Sequence, residues 1–349
     1  MGKFQKNSLR MDKAALVKFF KEVQDQFDIF LPYEIDKDDP DNLKLKKFQG
    51  DDNFILNKYR TIDPLKSLFY LSSESVLPPT AKEDKRIIAG VKNCDLLSLG
   101  VHDAALLEDN FVDPNFEKWR KNTYIISSDC DAALSTCHCN ILGHKPYPNT
   151  SGEDKARFDL NLSLVDDNYL ITVGSQKGQE LLDLMKQVSE VDEPDNYLLN
   201  ELERQHEEID KKLEQINEEF SPDRDVGVVS KVKDDEVWEE LCEECVQCGG
   251  CTNICPSCYC IIVNDESIDD NFKRIRTWDS CQLSGYARVA GGESPRDRLW
   301  ERFRNRYQCK FDFIKQNFSQ YGCKGCGRCI SVCPAEIDLR EVIKALQEV

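Results

Sequence analysis

No apolar run in this chain approaches the roughly 20 residues that a membrane-spanning helix needs. Met1 to Phe20 scatters charge throughout and has no apolar core of the export-signal kind. Lys6 stands where the N-myristoylation pattern asks for Ser or Thr. Positive charge is short: 46 Lys and Arg face 64 Asp and Glu, a formal net charge of -18 over 349 residues, which argues against nucleic-acid binding. A dinucleotide fingerprint is missing as well, since Gly174-Ser175-Gln176-Lys177-Gly178 is a lone glycine turn. These gaps predict a soluble, cytoplasmic chain with no nucleic-acid partner and no transmembrane segment, free or within a complex. The acidic surface is a solvated face that would also steer the chain toward a basic partner.

Cysteine, by contrast, is abundant, with 17 in the chain. In a reducing compartment that count points to metal rather than disulfides. Two copies of one pattern occupy the C-terminal third: Cys245-x2-Cys248-x2-Cys251-x3-Cys255-Pro256 and Cys323-x2-Cys326-x2-Cys329-x3-Cys333-Pro334. This is the spacing of a bacterial-type ferredoxin with two 4Fe–4S clusters, in which the fourth cysteine of each run ligates the other cluster. The expected sets are therefore Cys245, Cys248, Cys251 and Cys333 for one cube, and Cys323, Cys326, Cys329 and Cys255 for the second. Each proline suits the first turn of a helix. Zinc sites show paired Cys-x2-Cys with a longer spacer, a different pattern.

A second group lies in the N-terminal half: Cys94, Cys130, Cys137 and Cys139. Cys94 follows a short apolar run, 86–91, and Cys130 follows another, 123–128. If these are parallel neighbouring strands, all four thiols meet at one sheet edge. Four soft ligands on loops fit a third iron–sulfur cluster, tetrahedral zinc, or plain packing of small side chains. His138, between Cys137 and Cys139, reads as a neighbour that donates to a ligand rather than a ligand. Of the rest, Cys258, Cys260 and Cys281 would serve a further centre only if they converge, and Cys242 and Cys309 read as packing.

The fold class expected is α+β: a mixed α/β domain over 1–190, a charged helical linker over 195–226, and a mainly α, dicluster ferredoxin-like domain over 235–349 with a long insertion. Asp12 to Asp25 reads as an amphipathic helix with Leu16, Phe19, Phe20 and Val23 on its stripe. Segments 160–164 and 169–173 flank Asp166-Asp167-Asn168 as a hairpin, and 178–188 reads as a helix. Asn196 to Phe220 is a solvated helix with a narrow seam of Leu198, Leu202, Ile209, Leu213 and Ile216, stopped at Ser221-Pro222-Asp223. The basic aromatic run Arg296 to Phe313 reads as a helix beneath the clusters, where positive charge would raise their potentials.

Three groups of residues carry a family likeness. They are Gly90-Val91-Lys92-Asn93-Cys94-Asp95; Asp129-Cys130 with Thr136-Cys137-His138-Cys139; and Cys255-Pro256-Ser257-Cys258-Tyr259-Cys260. Trp278-Asp279-Ser280-Cys281-Gln282-Leu283 and Ala287-Arg288-Val289-Ala290-Gly291-Gly292 join them. From about residue 50 onward the chain resembles the iron–sulfur β subunit of cytoplasmic NiFe sulfhydrogenases, and equally the A subunit of anaerobic sulfite reductase. Asn93 stands where many members have proline. The resemblance implies an electron-transfer subunit. It would take electrons from a ferredoxin–NADP reductase-like flavoprotein subunit and pass them singly to a catalytic redox subunit: NiFe hydrogenase, sulfite reductase or heterodisulfide reductase. The competing readings are a stand-alone iron–sulfur oxidoreductase with its own N-terminal substrate or flavin site, and a scaffold whose clusters merely hold the fold.

Overall fold

The computed structural model describes residues 8–36, 42–108, 112–149, 157–220, 227–233, 235–268 and 271–349. The expected stop at Ser221-Pro222-Asp223 lies outside the described residues. The chain begins with β1 (Leu9–Asp12) and α1 (Lys13–Val23). Asp12 caps α1 by accepting from the Ala15 amide at 2.7 Å, and Leu16, Phe19, Phe20 and Val23 recur on its buried stripe. Strands β2 (Asp28–Glu34), β3 (Leu43–Lys47) and β4 (Ser73–Leu77) follow, then β5 (Arg86–Val91), helices α2 (Asn93–Leu106) and α3 (Pro114–Asn122), and β6 (Thr123–Ser128). Next come β7 (Leu160–Val165), β8 (Asn168–Val173), α4 (Gln176–Val188) and α5 (Asn196–Ile216).

Seven of these strands form one sheet in the order β1-β8-β7-β6-β5-β2-β3. Its centre, β2, β5, β6 and β7, is parallel, and the flanking pairs are antiparallel. All six residues of both β5 and β6 are buried, as expected for parallel strands covered on both faces. One face packs α1 and α4 through Phe19, Phe20, Leu181 and Met185; the other packs α2 and α3 through Leu96, Leu99, Phe116 and Trp119. The β7–β8 hairpin turns at Asp166, which has φ of 52°.

The C-terminal region contributes α6 (Val228–Lys231), α7 (Asp235–Leu241), α8 (Gly250–Asn253), β9 (Ile261–Ile268), β10 (Asn271–Trp278), α9 (Leu299–Gln308), α10 (Ile314–Phe318), α11 (Arg328–Ser331) and α12 (Leu339–Gln347). Its own core gathers Trp238, Trp300, Phe303, Tyr307, Phe311 and Leu346. The insertion within the mainly α domain also carries strands. Strands β9 and β10 form a hairpin whose β10 pairs with β4, giving a three-stranded sheet that joins the two halves of the chain. Arg276 of β10 is buried against Glu74 of β4 and Asp113, with its guanidinium 4.1 Å from the Tyr70 ring centroid.

Candidate metal centres

The two ferredoxin runs fold alike. Between the cysteines the chain takes left-handed steps at Gln247 (φ 56°) and Gly249 (71°), and at Gly325 (69°) and Gly327 (71°) in the second run. These steps curl each loop so that thiols three residues apart face one space. Each loop then enters a short helix, α8 or α11. One cavity is lined by Cys245, Cys248, Cys251 and Cys333. A second is lined by Cys255, Cys323, Cys326 and Cys329. Each cavity is thus lined by thiols from both runs. Cys329 and Arg306 border both cavities. Arg306, on α9, is buried; burial works against its charge while Cys251 and Cys329 favour it.

The N-terminal four come together at the ends of β5 and β6. These strands are parallel neighbours, and crevices past the C-terminal ends of such strands are where α/β sheets bind ligands. Cys94 is the second residue of α2, directly after β5, and Cys130 follows β6. Asn93 opens the helix, a position that suits proline equally, and its amide donates to the Lys145 carbonyl at 2.8 Å. Cys94, Cys130, Cys137 and Cys139 line one cavity with Arg60, Lys92 and Cys326. Lys92 is fully enclosed behind it and donates to the carbonyls of Leu56 (2.6 Å) and Asp129 (2.9 Å) and to Ser128 Oγ (3.0 Å). Leu213 of α5 closes the same cavity. Helix α5 is therefore more than a connection: the Tyr147 ring stacks on His206 at 3.7 Å, and Asn217 Nδ2 donates to the Cys137 carbonyl at 2.9 Å.

The N-terminal cage and the second ferredoxin loop are in direct contact. The His138 amide donates to the Gly325 carbonyl at 2.8 Å, and His138 Nε2 lies 3.7 Å from Cys323 Sγ. His138 thus reaches a ferredoxin thiol rather than either of the two beside it in sequence. Arg60 donates to the Cys326 carbonyl at 2.6 Å. Arg328 spans to Asp95, beside Cys94, with bonds of 3.0 and 2.7 Å. A Cβ on Gly325 would lie 2.4 Å from the Cys139 backbone, and one on Gly327 2.3 Å from the Thr136 carbonyl oxygen. Sequence reading overlooked Arg60, Asp95, Arg328 and Lys92 as parts of the site. The glycines on either side of Cys326 were the available signal.

These residues fit iron–sulfur clusters. All 17 cysteines are free thiols. Burial pushes Cys130 and Cys323 each up to about 12 and raises Cys94 and Cys139 strongly, whereas the Cys258 hydrogen bond lowers Cys255; a metal bound at any of these sulfurs displaces the proton. Among the described residues no three His, Cys, Asp or Glu side chains converge on a single ion position. A cube asks for another spacing, one iron for each thiolate.

Interleaved cysteine loops around adjoining cavities define an iron–sulfur protein of the dicluster type, and residues 244–337 match the 4Fe-4S dicluster domain family. The chain is also 33% identical over 310 residues to sulfhydrogenase 2 subunit beta of Pyrococcus furiosus, covering 85% of this chain and 86% of that one. It belongs to the family of that iron–sulfur β subunit, and is an iron–sulfur electron-transfer subunit. Among the described residues no helix is long and apolar enough to cross a membrane.

Proposed function

We propose that this chain relays single electrons through three 4Fe–4S clusters inside a multisubunit redox complex. Cys94, Cys130, Cys137 and Cys139 would hold the first. Cys255, Cys323, Cys326 and Cys329 would hold the second, and Cys245, Cys248, Cys251 and Cys333 the third. When bound, each cluster supplies a one-electron store whose potential depends on burial, charge and hydrogen bonds to its sulfurs.

The observation that carries this reading is the sharing of walls. Cys326 borders both the N-terminal and the central cavity, and Cys329 with Arg306 borders the central and the outer one. The protein residues hold these walls together: Arg328 with Asp95 and Arg60 with the Cys326 carbonyl fix the first junction, and Arg306 fills the second. At the far end Cys248 is the one exposed cysteine among the described residues, flanked by Val246 at 64% exposure and Val332 at 41%. That end is the port to a partner. The partner at one end is a flavoprotein subunit of ferredoxin–NADP reductase type; at the other it is a catalytic subunit of hydrogenase, sulfite reductase or heterodisulfide reductase type. The name of the Pyrococcus relative, a sulfhydrogenase subunit, favours the first of these catalytic partners.

The test is an anaerobic preparation assayed for iron, sulfide, flavin and NAD(P)H-driven dye reduction. The relay predicts abundant iron, no flavin, and reduction only when the partner flavoprotein is added. Bound flavin with independent turnover would establish the stand-alone oxidoreductase instead.

A further inference from the structure

Three thiols outside those cavities gather at the base of the β9–β10 hairpin. Cys260 immediately precedes β9, and its carbonyl accepts from the Asp279 amide at 3.0 Å, which brings the end of β10 alongside it. Two residues further, Cys281 is buried at 6% exposure. Cys309 arrives from a different direction, as the first residue of a π-helical turn, Cys309–Phe313, that continues α9. Single π turns inside α-helices recur at functional sites, because they re-aim a side chain at the cost of a regular hydrogen bond. Of the cysteines that sequence reading linked to a further centre, Cys258 turns away toward Cys255. Cys309, expected from the sequence to be packing, is an electrostatic neighbour of Cys260 and Cys281.

Two polar side chains are aimed at these sulfurs. The Tyr286 hydroxyl donates to Cys260 Sγ at 3.4 Å. Gln282, 1% exposed, places Nε2 3.8 Å from Cys281 Sγ while donating to the Arg302 carbonyl at 2.8 Å. Donors pointed at sulfur are what tune and orient metal-bound thiolates. Burial first, then the other thiols, raises the proton affinity of Cys281 and Cys309, and all three thiols act on the Tyr286 hydroxyl. Buried positive charge stands beside them. Lys310 follows Cys309 directly and donates to Ser257 Oγ at 3.0 Å; Lys66 donates to the Cys258 carbonyl at 3.1 Å. Both lysines are only 4% exposed and answer Cys255 and Cys258 first, with Lys310 lining the central cavity, so their charge belongs to that cavity and reaches these three thiols from its edge. Packing of small apolar side chains does not account for the donors.

We propose that Cys260, Cys281 and Cys309 hold a further cuboidal iron–sulfur cluster, bound by three thiolates, beside the central cavity of the relay. A single zinc ion is the poorer fit, since no three ligating side chains converge on one point among the described residues. The site goes beyond the relay and does not rest on it. Its failure would leave the three cavities as they stand.

The experiment compares the anaerobically purified full chain with the triple variant Cys260→Ser/Cys281→Ser/Cys309→Ser by iron, zinc and sulfide analysis and by electron paramagnetic resonance. The expected result is a loss of about three to four irons and about four sulfides per chain, with the ferredoxin signals retained. Unchanged iron and sulfide, or stoichiometric zinc at this position, would overturn the proposal. Should the triple variant fail to fold, Tyr286→Phe keeps every thiol and removes one donor. It should then shift one resonance signal and leave the others in place, and a spectrum identical to the parent's would overturn the proposal.

Discussion

At the scale of the residue, a buried charge is dangerous chiefly to lose half of. The Arg328 and Asp95 side chains are 1% and 4% exposed, and each satisfies the other with two bonds. Asp95→Ala would leave a guanidinium enclosed without a counter-charge, at about 3–5 kcal/mol; a lowered urea midpoint in equilibrium unfolding is the check. Cys326→Ala should remove the iron of the central cluster and spare the outer one, because Cys326 lines the central cavity and not the outer one; equal loss of both signals in a folded variant would contradict the grouping. Arg306→Met, which removes positive charge from the wall between the central and outer cavities, should move both midpoint potentials in the negative direction and leave that of the N-terminal centre in place, as read by redox titration. The cysteines were legible because their spacing is local and the chemistry permits few alternatives. Asp95 and Arg328 were not, being 233 residues apart with no short-range pattern to link them.

At the scale of the element, loop meets loop with no room for a methyl group. Gly325 combines a φ of 69° with the close approach of Cys139. Gly325→Ala should therefore cost more than about 1 kcal/mol and disturb the N-terminal centre's spectrum, though no ligand is changed. Helices α2 and α3 are pinned by Asp103, which receives Arg120 Nε at 2.8 Å and Arg157 Nη1 at 2.7 Å. Burial alone would raise the Asp103 pKa, but the two guanidinium groups more than offset it and hold it below the usual carboxylate range. The stability this contributes is present above the unfolded value of about 3.9 and is lost as pH falls through the lower folded value. Asp103→Asn should flatten the fall of the urea midpoint between pH 6 and pH 3. Most elements were readable: α1, β5, β6 and the β7–β8 pair carry burial patterns of the right period, and of the α5 seam Leu198, Ile209 and Leu213 are buried while Leu202 and Ile216 are half-buried. The β9–β10 hairpin was not. Asn264, Asp265 and Glu266 make β9 look like a loop, and its sheet is completed by β4 from far earlier in the chain.

At the scale of the whole molecule, two cores are welded by contacts between the cysteine-lined cavities and by one shared sheet, so the N-terminal cage is held against the ferredoxin loops rather than tethered by a linker. That arrangement makes the distance between the cavities a fixed property of the fold. Redox titration of the anaerobic full chain, followed by electron paramagnetic resonance, tests it most directly. The account predicts reversible one-electron signals from the ferredoxin pair and the N-terminal centre, each broadened by the reduced neighbour whose wall it shares. Isolated signals without broadening, or thiols carrying no reducible iron, would contradict it.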